Sequence, residues 1–300
     1  MKVKTKSAST APDESLENMK KRGQWRDVWK RLRRNKLAMV GMVVVILLIL
    51  VAIFADVIAP YDYDAANFGA RLQFPSKEHL LGTDNFGRDL LSRIIYGSRT
   101  SLLVALAALT ISLVIGGFFG ATAGYFGGKY ETIVMRIVDI IMAIPGLLLA
   151  VSISAALGAG TMNTAIAISI SGIPSYVRIV RAQFLTIRGK EYVEAAKATG
   201  SSNMQIIFGQ ILPNALSPII VETTLRVAFN ILQISSLSFI GLGVQPPTAE
   251  WGSIMTAGRE YIRDFYPLVT FPGIAIMLTL FGFNLLGDGL RDALDPKLKR

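Results

Sequence analysis

Charged residues are so sparse along the 300-residue chain that several apolar stretches run uninterrupted. Leu37 to Ala55, Thr100 to Gly128, Ile140 to Val177, Ser201 to Val221, Val227 to Ala249 and Phe265 to Gly287 contain no Asp, Glu, Lys or Arg. A helix needs about 20 apolar residues to cross roughly 30 Å of hydrocarbon, so runs of this length predict membrane spans. The third run is too long for one crossing and breaks at Gly158-Ala159-Gly160-Thr161, a turn signal. The fifth span overlaps two runs and carries Glu222 and Arg226 inside it. The pattern predicts six helices, near 37–58, 100–124, 133–157, 162–184, 214–242 and 268–288. The chain therefore divides into a basic N-terminal segment, 1–36, and an all-α integral membrane domain, 37–300.

Six crossings put both termini on one side, and the distribution of Lys and Arg says which. Cations crowd residues 1–36, 129–136, 178–197 and 289–300, whereas the opposite segments hold only Arg71, Lys77, Arg88, Arg93, Arg99, Arg259 and Arg263. Cytoplasmic N- and C-termini are expected. A 36-residue lead followed by a long apolar run reads as a retained anchor, not a cleaved secretory signal. Within that lead Trp25, Val28, Trp29 and Leu32 share one helical face and Arg26, Lys30, Arg31, Arg33 and Arg34 the other. That alternation predicts a helix lying in the inner interface. Residues 1–20 read equally as a disordered basic tail.

Composition narrows the chemistry. With 52% hydrophobic and 17% charged residues the chain is not disordered, and its formal charge of +10 is absorbed by membrane orientation, with no call for nucleic acid. Zero cysteines exclude disulfides and thiolate metal sites, and the single histidine, His79, leaves no paired-imidazole site. A lone histidine in a loop is expected to be solvated. No cofactor or metal site is expected in the chain.

Inside the membrane three features stand out. Gly116, Gly120, Gly124 and Gly128 recur every four residues; the first three line one face of the second span and predict a close helix crossing, within the chain or with another subunit, while Gly128 falls at the cytoplasmic end of the span. Pro145, Pro174, Pro213 and Pro218 predict irregular helices. Glu222 and Arg226, at i and i+4, predict an ion pair facing the bundle interior, which either fixes packing or lines a pathway; Asn230 on the same face is a further pathway candidate. Arg136 with Asp139, and Asp288 with Arg291, read as capping charges near helix ends.

Between the fourth and fifth spans, residues 190–199 are rich in helix formers and are closed by Gly200, while Ser201, Ser202 or Asn203 can cap the next helix. A short helix over about 190–200 is predicted, with Ala195, Ala196 and Ala198 bare enough for close docking and Tyr192 available as an anchor. Glu194-Ala195-Ala196, Gly200 and Leu212-Pro213 resemble the EAA signature of permease subunits of ATP-binding-cassette importers. LLGTDNFGRDLLSRIIYGSRTSL (80–102), LSFIGLGVQPPTAEWG (237–252) and LLGDGLRDALDPKLK (285–299) are similar to the dipeptide and oligopeptide permease subfamily. Gln210 departs from the aliphatic residue usual before Leu-Pro, but Ile211 and Leu212 keep the helix apolar.

The resemblance, covering about 37–300, implies a type I importer permease in a bacterial or archaeal cytoplasmic membrane. It implies a homologous second permease as heterodimer partner, two ATPase subunits that bind the ATP and Mg, and an extracytoplasmic peptide-binding protein, all in membrane lipid. Tyr192, Glu194, Ala195, Ala196 and Gly200 are then the ATPase-docking residues. Independently of any resemblance, no GxxxxGK[ST] occurs: Gly128-Lys129 is followed by Tyr130 and Gly189-Lys190 by Glu191. The chain is therefore not expected to be the ATPase, and the resemblance implies that it is a transport subunit and not an enzyme.

The segments at 59–99 and 244–266 are expected outside, either as contacts for the delivering protein or as a structural lid, with residues 89–96 forming a helix on the outer surface. Three other readings stay open. The same machine could carry nickel complexes, glycosides or other small solutes. A secondary carrier would need inverted repeats and paired acidic or histidine residues, neither of which is evident. A non-transporting scaffold would leave Glu222, Arg226 and the short helix without a purpose.

Overall fold

The computed structural model describes residues 24–295, with side chains from Arg26 onward. The tail at 1–20, the Trp25 side chain of the interfacial stripe and the basic residues after Asp295 lie outside the described residues. The helices are α1 (Gln24–Leu32), α2 (Lys36–Ile53), α3 (Ala55–Ile58), α4 (Leu90–Phe126), α5 (Gly128–Met142), α6 (Gly146–Leu157), α7 (Thr161–Arg188), α8 (Glu191–Ala198), α9 (Asn203–Phe239), α10 (Trp251–Gly258) and α11 (Pro267–Leu294). Among the described residues α2, α4, α7, α9 and α11 are long and apolar enough to cross a membrane, and α5 with α6 makes a sixth crossing if the bent pair is one span.

Three boundaries differ from the sequence expectation, each for a local reason. The span expected over 133–157 is two helices bent by 85°, because Pro145 can neither donate to the helix ladder nor let its predecessor stay helical. The surface helix expected over 89–96 is the opening of α4 itself. Asp89 caps α4 by accepting from the Ser92 N–H at 2.8 Å, and Leu90 and Ile95 are buried. At 37 residues α4 is about 55 Å long, well beyond the hydrocarbon thickness. The fifth span starts earlier than 214, at Asn203, where Ser202 and Gln205 form a capping box. Its Ile206–Ile211 segment is a π-helix, in which the Leu212 N–H reaches the Ile207 carbonyl. Pro213, next in sequence, has no N–H for the ordinary register, so the wider turn accommodates it.

The main packing seam joins α4 to α7. A Cβ at Gly116, Gly120 or Gly124 would fall 2.6–2.9 Å from atoms of Ile173, Tyr176, Val177, Val180, Arg181 or Phe184, so the glycine stripe serves an intramolecular crossing. Gly128, with open space around it, takes no part. Ser112 Oγ donates to the Ser169 carbonyl at 2.9 Å within the seam. At its end Arg188 donates to the Gly124 carbonyl at 2.9 Å and Arg181 to Glu131 at 2.6 Å. The α2 and α11 helices pack antiparallel. Leu32 of α1 and Ala38 of α2 cluster with Leu290, Ala293 and Leu294 of α11, which puts both described ends of the chain at one end of the bundle, here the proximal end.

At the distal end the segments after α3 and after α9 close over the bundle together. Trp251 is buried, donates Nε1–H to the Ile94 carbonyl at 3.0 Å and lies against Gly97. Phe74 meets Phe265 at 4.9 Å between ring centroids. Arg99 holds α3 and the end of α2 through Asp56 (2.9 Å) and the Ala52 carbonyl (2.9 Å), and with the Tyr96 hydroxyl keeps the Asp56 carboxyl below its ordinary pKa. His79 is not solvated as expected: its Nδ1 lies 2.9 Å from Asp89 Oδ1, because the cap of α4 presents its second oxygen to the loop. Asp139 pairs with Arg178 at 3.1 Å and not with Arg136, since α5 runs beside α7.

The seam makes a direct prediction. Gly120→Val puts two methyls where a Cβ alone meets the Val177 carbonyl oxygen at 2.7 Å, and should destabilise the chain by about 1–3 kcal/mol in detergent-based unfolding. Gly128→Ala, whose Cβ would meet nothing, should cost about 1 kcal/mol or less, from its positive φ of 64° alone.

Candidate functional site

Two groups of candidate residues lie at different depths on the proximal half of the bundle. The shallower is α8. Arg188 ends α7, Lys190 sits in an extended conformation before the first turn, and the helix closes with a Schellman arrangement. Gly200 N–H bonds the Lys197 carbonyl and Ser201 N–H the Ala196 carbonyl, each at 3.0 Å, with Gly200 at φ +82°. One side of α8 is fastened inward: Val193 is fully buried with Val180, Phe184 and Ile187 of α7 and Ile206, Ile207 and Ile211 of the π segment. Tyr125 of α4 joins this cluster and donates to Asn203 at 2.8 Å. The other side, with Tyr192, Glu194, Ala195 and Lys197, is exposed. Ala196 is half-buried against the cluster and Gly200 is exposed.

The deeper group lies on one face of α9. Arg226 Nη2 donates to Glu222 Oε1 at 2.7 Å, and both side chains are partly exposed, at 17% and 24%. Arg226 also stacks on Phe229, 5.4 Å from the ring centroid. The pair borders three cavities. The largest, about 800 Å³, opens between α1, α7, α9 and α11 and is lined by Asp27, Arg31, Gln183, Asn214, Ser217 and Glu222 among others. A second, about 460 Å³, lies between Glu222, Arg226 and Phe229 of α9 and Leu280 and Asn284 of α11. The third, about 350 Å³, lies where the α5–α6 break faces α7 and α9 and is bordered by Arg226, Asn230 and Gln233. Asn230 is 3% exposed and donates to the Ala105 carbonyl of α4 at 3.2 Å, so it ties α9 to the seam while its side chain borders this cavity.

Ion pairing at i and i+4 is worth little when it faces accessible space, about 0.3–0.5 kcal/mol, so the Glu222–Arg226 contact holds both groups without locking them. Sequence reasoning brought Glu222, Arg226 and Asn230 onto one face. It missed Gln233, one turn on, and the charged rim contributed by α1 and α11, because neither shows in local spacing.

The distal segments carry a third polar group, buried and fully engaged. Arg88 Nε donates to Asp84 Oδ2 at 2.7 Å, Arg93 Nε lies 3.5 Å from the same oxygen, and Arg93 Nη1 donates to the Tyr63 carbonyl at 3.0 Å. Glu250 is fully buried. It caps α10 through the Gly252 and Ser253 N–H groups, each at 2.9 Å, and takes hydroxyls from Ser101 and Ser235 at 3.3 Å. These charges hold the closure together. The surface left open at that end is mixed: Phe68, Phe74 and Phe86 are exposed beside charged residues such as Lys77, Glu78, Arg259 and Arg263.

Comparison with known proteins agrees with this architecture. Residues 113–300 match the family described as binding-protein-dependent transport system inner membrane component, and residues 23–75 match the N-terminal TM domain of oligopeptide transport permease C. The chain is 47% identical over 275 residues to the dipeptide transport system permease protein DppC of Alkalihalophilus pseudofirmus, covering 92% of this chain and 90% of that one. It is 44% identical over 280 residues to the di/tripeptide transport system permease protein DppC of Pseudomonas aeruginosa, covering 91% and 92%. A solved structure of the MetNI methionine ABC transporter in an inward-facing conformation superposes with a TM-score of 0.56 at 20% identity, over 69% of this chain and 98% of that one, a likeness of fold.

Removing one member of the α9 pair leaves a partly solvated charge without its partner. Arg226→Ala should lower unfolding stability by about 0.3–0.5 kcal/mol, and exchanging the two residues should recover most of that loss in the same measurement. Equal damage from the exchange and from the single change would rule out a pairwise contact.

Proposed function

Because the chain belongs to the binding-protein-dependent transport system inner membrane component family, we propose that it is the inner-membrane permease subunit of an ATP-driven importer of short peptides. The observation that carries the coupling is the seating of α8: its outward face is free while Val193 joins it to the ends of α7 and α9, with Tyr125 of α4 against the same cluster. A displacement of this helix from outside the membrane is transmitted to three crossing helices without a flexible joint.

In this reading the proximal end is cytoplasmic, in keeping with its cations, and α8 docks in a groove of an ATPase subunit through Tyr192, Glu194, Ala195 and Ala196, with Gly200 fixing the turn that follows. ATP and Mg are held by two such subunits, and none of that chemistry belongs to this chain. A homologous permease completes the pathway as heterodimer partner, and lipid surrounds α2, whose outward side chains are apolar and exposed. An extracytoplasmic binding protein delivers the peptide to the distal end. The exposed aromatics Phe68, Phe74 and Phe86 form its contact surface, while the buried Asp84, Arg88, Arg93 and Glu250 hold the two distal segments in place. Within the membrane the pathway follows the face of α9 bearing Glu222, Arg226 and Asn230. The peptide cargo of the relatives supports peptides over nickel complexes, glycosides or other solutes.

Two measurements test the proposal. Purification in mild detergent should bring down an ATPase and a second permease with the chain, and Glu194→Lys or Gly200→Asp should remove the ATPase at least tenfold while leaving the second permease. Cells lacking the chain should lose uptake of labelled dipeptide; undiminished peptide uptake with loss of metal or sugar uptake would reassign the cargo.

A further inference from the structure

We propose that the cavity at the α5–α6 break is a subsite for a di- or tripeptide with a free carboxylate, gripping the carboxylate with Arg226 and a peptide or amino N–H with Gln233; this deepens the peptide-importer reading and rests on it. The first observation is Gln233. It lines the cavity of about 350 Å³, is 6% exposed, and its Oε1 has no hydrogen-bond partner among the described residues. A buried amide oxygen without a donor is costly and calls for an explanation; Asn85 Oδ1 is a second such atom but borders none of these cavities, whereas Gln233 lines one large enough for a ligand. An acceptor calls for an N–H.

Arg226 is the second observation. Its guanidinium carries five N–H donors, of which one reaches Glu222, so it can accept a carboxylate on its remaining edge without giving up that partner. Arg226 and Gln233 lie seven residues apart on α9, about 10 Å along the axis. Three extended residues at about 3.5 Å each span that distance, and two span about 7 Å, leaving the remainder to the reach of the arginine side chain. Between the two poles the lining is mixed. Ser171 and Ser175 of α7 and Asn230 offer hydroxyls and an amide, and Phe229 gives an apolar wall for a side chain. The 85° bend at Pro145 makes the room, because a straight helix over 133–157 would not leave the α5–α6 turn standing off α7 and α9. Discontinuous helices are where transporters place polar groups at membrane depth.

The test uses the whole complex in lipid nanodiscs, with a dipeptide whose C-terminal residue is photoreactive leucine, added directly without the binding protein, and the same probe as its C-terminal amide. The acid should label residues 141–149 or 226–236, and the amide should label them about tenfold less, the loss expected for one charge-assisted hydrogen bond. Arg226→Gln should abolish the difference between acid and amide, and Gln233→Leu should weaken labelling by both. The acid–amide comparison on the unaltered protein needs no variant to fold. Labelling elsewhere, equal labelling by acid and amide, or labelling indifferent to Gln233→Leu would overturn the subsite. Dipeptide uptake by the same complex reconstituted in sealed proteoliposomes, with the binding protein and ATP present, separates the two readings: uptake with misplaced label sinks the subsite alone, whereas no uptake sinks the peptide importer with it.

Discussion

The close approach of α4 and α7 is the contact on which the rest of the molecule depends. In lipid, apolar bulk gives no drive for helices to associate, so affinity comes from backbone proximity, dispersion and internal hydrogen bonds. Gly116, Gly120 and Gly124 remove the side chains that would hold the helices apart, Ser112 adds a hydrogen bond, and Arg188 satisfies the terminal carbonyls of α4. With α7 so fixed, its last turn forms one wall of the seat for Val193, and the orientation of α8 follows. On its other flank the same α4 receives Asn230, which fixes the rotation of α9 and with it the direction in which Glu222 and Arg226 face.

Much of this was legible in the sequence because membrane helices obey few rules. The lengths of the charge-free runs gave the crossings, the four-residue glycine spacing gave the seam, and the alanine-rich stretch closed by Gly200 gave α8 with its limits nearly right. Tertiary facts were less accessible. That residues 89–96 continue into α4 depends on a distal cover supplied by residues 244–266, far away in sequence. Nothing local distinguishes the surface-helix stripe of Leu90, Leu91, Ile94 and Ile95 from a helix buried beneath another segment. The π segment was equally hidden, since a wide turn leaves no compositional trace beyond the proline that follows it.

The deeper site was half visible. Charges within an apolar run draw attention by their cost, so Glu222 and Arg226 stood out from the sequence alone. Gln233 did not, being neutral and common; only its unpartnered oxygen together with its place beside a cavity separates it from the other amides. The bend at Pro145 was foreseeable as an irregularity, but its size, and the space it opens beside α9, are products of packing against α7.

The clasp at the distal end bears on how the polypeptide is made. Arg93, Ile94 and Ser101 find partners in Pro247, Trp251 and Glu250, which follow them by 154, 157 and 149 positions. A ribosome adding about 5 to 20 residues per second leaves those groups waiting for roughly 8 to 30 seconds. Throughout that interval the distal rim of the nascent amino half lacks its cover: Arg93 has only Asp84 and Tyr63 of its own half, and Ser101 still waits for Glu250, so water or lipid headgroups occupy the place of the carboxyl half until it arrives.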